Sequence, residues 1–350
     1  MQLEPLKYPV YFITEEVGRW GHLFNRDIAT VDINEELKNV ASGNDIWSVQ
    51  TYLQLKSRGL NVHLAPHFIP GKICIAPYHY IYIKHFNFNS YVVASQLDSA
   101  RPEICEQRTV LNEHCINTAE DHFIPQWSQS NLIPRDKSRG TRLETLDFKG
   151  DVVYNLAKPF KSPEFISQLA DMGVKFIHSS TDPAQRLLDF ADYSHSDAII
   201  AVRNITNTDL KLKPPIKLTN AWHGGCPALL GPEPAFQALR RSELDYFEVR
   251  SPEDAIAALR KLKDDPNLYQ AMVDNGFMRA QEFTADSISL KWHAFLQGPV
   301  TEGYEQWRRQ SLVEKLLGRP IRYVKRTLAH REALKSYLHQ RDFGERLFPQ

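Results

Sequence analysis

Short apolar runs alternate with stretches of mixed character through the first 300 residues, and the pattern predicts strands separated by helices. Tyr8–Thr14 is β-branched and aromatic, which predicts a strand buried on both faces. Asp45–Gly59 carries Ile46, Val49, Leu53 and Leu55 as apolar helix positions, with Gly59 as the stop. Leu60–Ala65, Lys72–Ala76, Ser90–Ala94 and Arg108–Asn112 follow as further predicted strands. Residues 123–150 show neither period and are rich in proline, arginine and polar residues, so they predict a long connection. Phe148–Tyr154 is expected to open a second sheet, with a turn at Gly150. Helix Ser162–Met172, strand Val174–His178, helix Gln185–Tyr193 and strand Ser196–Val202 then repeat the alternation. Thr284–Leu296 predicts a closing helix.

The most informative stretch is Lys213–Ser242. Pro214 and Pro215 suit the first turn of a helix, where amide donors lack intrahelical partners. Ile216, Leu218 and Trp222 predict its apolar side, leaving Lys217, Asn220 and His223 to face elsewhere. Gly224 and Gly225 predict its end, because glycine takes the left-handed cap conformation without penalty. Pro227–Gly231 then reads as a short buried strand leading into the acid Glu233. A helix N-terminus flanked by Lys213 and Lys217 is a natural place for a diphosphate.

Composition narrows the class. The chain has 350 residues, enough for two domains, with 42% hydrophobic and 24% charged residues, as in a globular protein. Lysine plus arginine balance aspartate plus glutamate at 42 each, so the whole molecule offers no signature for nucleic acid. The charge is uneven, however. Residues 308–346 hold 11 basic and 4 acidic residues, with Leu312, Val313, Leu316, Leu317, Tyr323, Val324, Leu328 and Leu334 at helical spacing. Such helices lie on an anionic membrane surface, bind a partner, or simply present a solvated face around packed leucines. Cys74, Cys105, Cys115 and Cys226 show no C-x-x-C spacing, which points to reduced thiols and a cytoplasmic setting, or one peripheral to the inner face of a membrane. The apolar start is too short and too acid-flanked for a signal peptide. P-loop, G-x-G-x-x-G, H-E-x-x-H and G-x-S-x-G motifs are absent, and no histidine pairing suggests a metal.

The segment Ala221–Pro227, read with Leu244–Val249, Pro252–Leu259, Asp265–Leu268 and Met272–Gly276, resembles the donor-binding half of GT-B glycosyltransferases. The ordered series covers about 65 residues. The resemblance implies an α/β fold of two Rossmann-like domains facing across a cleft, at 1–146 and 147–300, with a basic helical tail at 301–350. It implies transfer of a sugar from a nucleotide-diphosphate-sugar to a carbohydrate, lipid or small-molecule hydroxyl. No separate cofactor and no metal are implied: GT-A enzymes hold a metal with D-x-D, which this sequence lacks. One departure concerns the paired glutamates, which would fall at Leu212 and Asn220. Asparagine contacts a ribose hydroxyl more weakly than a carboxylate does. Sugar-ring recognition and the stereochemical outcome therefore stay open.

Residue by residue, the resemblance assigns Gly150 to close approach of backbone and phosphate, and Lys213 and Lys217 to the diphosphate; Arg203, at the carboxyl end of its strand, is placed to meet the donor in the crevice. Lys213 and Lys217 would also stabilise the leaving group. Asn220 would meet the ribose, and Glu233 the ribose or sugar hydroxyls, unless Glu233 only caps the helix that follows. Gly18, Arg19 and Trp20 mark the acceptor-side loop, and His22 is the candidate base, with Asp27 and Asp45 as alternatives. Arg135, Arg139 and Arg142 in the aperiodic connection are further candidates for an anion. An epimerase of the same fold and a non-catalytic sugar-nucleotide-binding protein are the competing readings.

Overall fold

A computed structural model describes residues 1–348, except the side chains of Pro183 and Ala184. The chain divides into two compact units. One comprises Met1–Trp127 with Ala285–Asp342, and the other comprises Ser128–Thr284 with residues 343–348.

The first unit is built on a six-stranded, all-parallel sheet: β1 (Val10–Ile13), β2 (Val62–Ala65), β3 (Ile73–Pro77), β4 (Tyr91–Ser95), β5 (Gln107–Val110) and β6 (Asp121–Phe123). Their spatial order is β2-β1-β3-β4-β5-β6. Phe12, Trp20, Trp47, Leu53 and Val93 form its core together with Trp292 and Phe295 from the helix Ala285–Phe295. Trp292 sits 6.0 Å from both the Phe12 and the Trp47 ring. That aromatic contact joins the segment after Thr284 to the first sheet rather than to the second. The expected boundary at 300 therefore moves to 284.

The second unit holds five parallel strands: β7 (Thr145–Phe148), β8 (Lys175–His178), β9 (Ala198–Ala201), β10 (Ala228–Leu230) and β11 (Phe247–Glu248). Their order is β11-β10-β9-β7-β8. The strand expected at Phe148–Tyr154 lies earlier, at Thr145–Phe148, and Val152–Asn155 is a helical turn capped by Asp151.

The aperiodic arm belongs to this unit from Ser128 on, which moves the other boundary from 146 to 127. The reason is one buried acid. Asp197, at the amino end of β9, accepts from Arg135 (2.7 Å), Arg139 (2.7 Å) and the Glu144 and Thr145 amides (2.8 and 3.0 Å). These charge-assisted bonds pull its carboxyl below the usual carboxylate range, against the effect of burial. Arg135 and Arg139 are therefore structural, at the end of the strand opposite to the one where ligands bind. Arg142 likewise donates to the Arg139 and Ser138 carbonyls.

Candidate functional site

In open parallel sheets, ligands bind beyond the carboxyl ends of the strands, where the strand order reverses. The second unit reverses between β7 and β9: the chain goes from β7 to β8 on one side, then to β9 on the other. Three strand ends deliver charged groups there. β7 runs into Lys149 and Gly150, β9 into Arg203, and β10 through Gly231 and Pro232 to Glu233.

The helix Ile216–Gly224 closes the site from one side. It begins after Pro215, and Gly225 ends it in the left-handed conformation at φ 67°. Only His223 escapes burial along its length, so the expected separation of an apolar face from an available one does not hold. Lys217 is 7% exposed and Asn220 fully buried. Lys217 crosses to β7, where its Nζ donates to the Lys149 carbonyl and lies 4.8 Å from the Phe148 ring centroid. The Phe190 ring is 5.4 Å away on another flank.

Gly150 is where the amine fits. Its φ is 138°, a conformation side chains rarely adopt, and a Cβ there would stand 3.2 Å from Lys217 Nζ and 3.7 Å from Phe148. Its N–H donates to Ser179 Oγ at 3.1 Å. The glycine thus admits a buried amine to the turn after β7.

Electrostatics make this cluster unusual. Burial, reinforced by the positive charge of Arg203, pulls the Lys217 amine down to about 7, although Glu233 and Asp147 oppose the shift. Arg203, 8% exposed, forms an ion pair with Glu233, which is 1% exposed. Burial pushes the Glu233 carboxyl up, while Arg203, Lys217 and Lys213 restrain it. Only Oε2 of that carboxylate is bonded to Arg203; Oε1 is buried without a hydrogen-bond partner. Glu233 precedes the helix Pro234–Leu239 without capping it through its side chain, which leaves the capping role unsupported. An unmatched buried carboxylate oxygen is costly unless something donates to it.

Lys149 and Asp147, not anticipated as site residues, complete the group. Lys149 pairs with Asp147 at 2.6 Å, and Asp147 accepts from Ser196 Oγ at 2.6 Å. The sequence signal was two charged residues bracketing a buried strand end next to Gly150. Asn220 departs from its expected role: its Oδ1 accepts from the Gln129 amide at 3.3 Å, inside the unit. Lys213, half-buried, follows the helix Asn207–Leu212 in extended conformation, and its charge acts on Glu233.

The acceptor-side residues fall in the first unit, mostly in structural roles. Trp20 is buried, and its Nε1 donates to Asp45 at 2.9 Å. Arg19 donates to the same acid at 3.1 Å and to the Asn39 carbonyl. Asp45 is fully buried and also accepts from the Ala41 and Ser42 amides, so it organises the loop and is not placed to take a substrate proton. Gly18 faces open space. Asp27 is exposed and caps a short turn. His22 is 44% exposed and bonded to Glu36 at 2.8 Å.

A cavity of about 450 Å³ lies elsewhere in this unit, at the carboxyl ends of β1 and β2, lined by Ile13, Glu15, Val17, His67, Phe68 and His85. There His85 Nε2 is 3.2 Å from Glu15, and its Nδ1 is 3.2 Å from the Tyr80 carbonyl. Nothing in the local sequence around His67 and His85 signalled this pairing. Among the described residues, no cluster of His, Cys, Asp and Glu is placed to hold a metal ion.

No family model and no curated protein matches the sequence. Among solved structures, sucrose-phosphate synthase from Thermosynechococcus elongatus aligns over 85% of this chain and 100% of its own at a TM-score of 0.51, with 12% identity. HepE from Anabaena, solved with UDP and glucose, aligns over 84% and 100% at a TM-score of 0.48, with 11% identity. The first likeness shows the fold alone: parallel α/β sheets, one in each unit.

Proposed function

We propose that this chain transfers a sugar from a nucleotide-diphosphate-sugar to a hydroxyl acceptor. The observation that carries the reading is the buried Lys217–Arg203–Glu233 cluster at the strand reversal of the second sheet. Lys217 and Arg203 share the single carboxylate of Glu233 out of water, so a further anion is favoured there. A diphosphate is such an anion, and its negative charge grows as the sugar departs. Groups already fixed around that charge lower the barrier without reorganising.

In this reading Lys217 and Arg203 receive the diphosphate, with Lys213 at the edge. The arriving anion restores the proton to Lys217. Glu233 keeps Arg203 in place through Oε2 and offers Oε1 to a ribose or sugar hydroxyl, filling its missing hydrogen bond. Gly150 admits the amine. Asn220 supports the helix from inside instead of touching the ribose. Lys149 and Asp147 hold the turn that Lys217 caps. On the acceptor side, Glu15, held by His85, replaces His22 as the group that takes the hydroxyl proton, with His67 beside it. They line a cavity of small-ligand size, whereas His22 lies on a surface turn.

Incubation with a panel of labelled nucleotide-sugars and analysis of products tests the reading. A new glycoside supports it, a free epimer shows an epimerase, and unchanged donor with tight nucleotide binding shows a binding protein. Arg203→Ala and Lys217→Met should each lower kcat/KM by about 100-fold or more.

A further inference from the structure

The helical segment from Leu312 to Lys335 is inverted relative to an ordinary surface helix. The side it turns towards the first unit is polar: Arg319, Tyr323, Thr327 and His330 are its buried residues. Arg319 lies 3.5 Å over the Trp307 ring and donates to the Trp307 carbonyl at 2.7 Å. Tyr323 donates to the Ile83 carbonyl, and Arg326 grips Glu106 with two bonds of 2.6 and 2.8 Å. The Glu103 amide donates to His330 Nδ1 at 3.3 Å.

The opposite side is aliphatic. Leu312, Val313, Leu316, Leu317, Ile321, Val324 and Leu328 are between 55% and 75% exposed. From Val313 they recur every three or four residues, as one ridge along the helix. Lys315, Lys325, Arg331 and Lys335 stand beside that ridge, while Arg319, Arg322 and Arg326 are engaged by Trp307, Glu314 and Glu106. Isolated exposed aliphatics need no explanation, but seven on one face do.

We propose that this ridge lies in the surface of an anionic membrane, aliphatic side chains among the acyl chains and lysines at the headgroups. This goes beyond the sugar-transfer reading and does not depend on it. Charge complementarity selects the occupant: a second copy would bring the same basic face against itself, which like charges oppose. Exposed aliphatic side chains flanked by lysines suit a soft phase they can enter. No helix among the described residues is long and apolar enough to cross a membrane, so the contact is one of lying in the surface.

The test is sedimentation of the full chain with vesicles of mixed phosphatidylglycerol and phosphatidylcholine, and with phosphatidylcholine alone. The chain should pellet with the anionic vesicles and not with the neutral ones. The exposed triple variant Ile321→Ser, Val324→Ser, Leu328→Ser should keep its circular dichroism and Tm while losing about tenfold or more in vesicle binding. Replacing Lys315, Lys325 and Lys335 by glutamine should weaken binding roughly fivefold per lysine, and added salt should do likewise. A chain that stays in solution with anionic vesicles overturns the proposal, as does a triple variant that binds as well as the parent. A dimer seen by sedimentation velocity, lost in the triple variant and unaccompanied by vesicle binding, also overturns it and assigns the ridge to self-association.

Discussion

At the scale of single residues, the balance between stability and function is sharpest at Lys217. An unfolded lysine titrates near its ordinary value of 10.5, and the folded one near 7. Between those values the unfolded chain binds more protons, so stability rises with pH across that window. Below about pH 7 the charge is retained in the folded state at full cost. Lys217→Met should therefore raise Tm at pH 6, by on the order of 1 kcal/mol in stability, and change it much less at pH 10. Thermal melts at the two pH values check this. Glu233→Gln should act in the opposite sense. It leaves Arg203 buried without its carboxylate and should cost about 3 kcal/mol, read from the urea midpoint.

At the scale of elements, the turn after β7 shows why part of the site was hard to read. Gly150 was visible as a phosphate-turn candidate, and Lys217 and Glu233 as charges close to it. The strand that positions them was misplaced. Thr145–Phe148 contains an aspartate and follows an arginine-rich arm, so no apolar run announces it. It is a strand because Ser196 and Lys149 satisfy Asp147. That compensation comes from elsewhere in the fold and leaves no local pattern. The β6 strand escaped notice for a similar reason. It is three residues long, and Asp121 within it is satisfied by Arg101 and the Asn117 and Thr118 amides.

The longer apolar strands, such as Ser196–Val202 and Tyr8–Thr14, needed no such help and were legible. The role of Gly150 is directly testable. Gly150→Ala should cost about 1–3 kcal/mol from the strained backbone, and it should weaken nucleotide binding by displacing Lys217. Denaturation and calorimetry on one variant read both effects.

At the scale of the whole molecule, two parallel sheets were legible from alternation, but their membership was not. The arm after Ser128 joins the second unit through the arginines on Asp197, and the segment after Thr284 joins the first through Trp292. Trp292→Ala should destabilise the first unit by about 3–5 kcal/mol, seen as a lowered urea midpoint. Nucleotide binding, which we propose for the second unit, should survive under native conditions.

In the proposed reaction a diphosphate returns a proton to Lys217. Isothermal titration of UDP and other nucleoside diphosphates near pH 7, in buffers of different ionisation heat, measures it directly. Binding should take up a fraction of a proton, strengthen as pH falls through 7, and lose both features in Lys217→Met. Absence of binding by every nucleoside diphosphate, or binding indifferent to pH and to that substitution, would contradict the account.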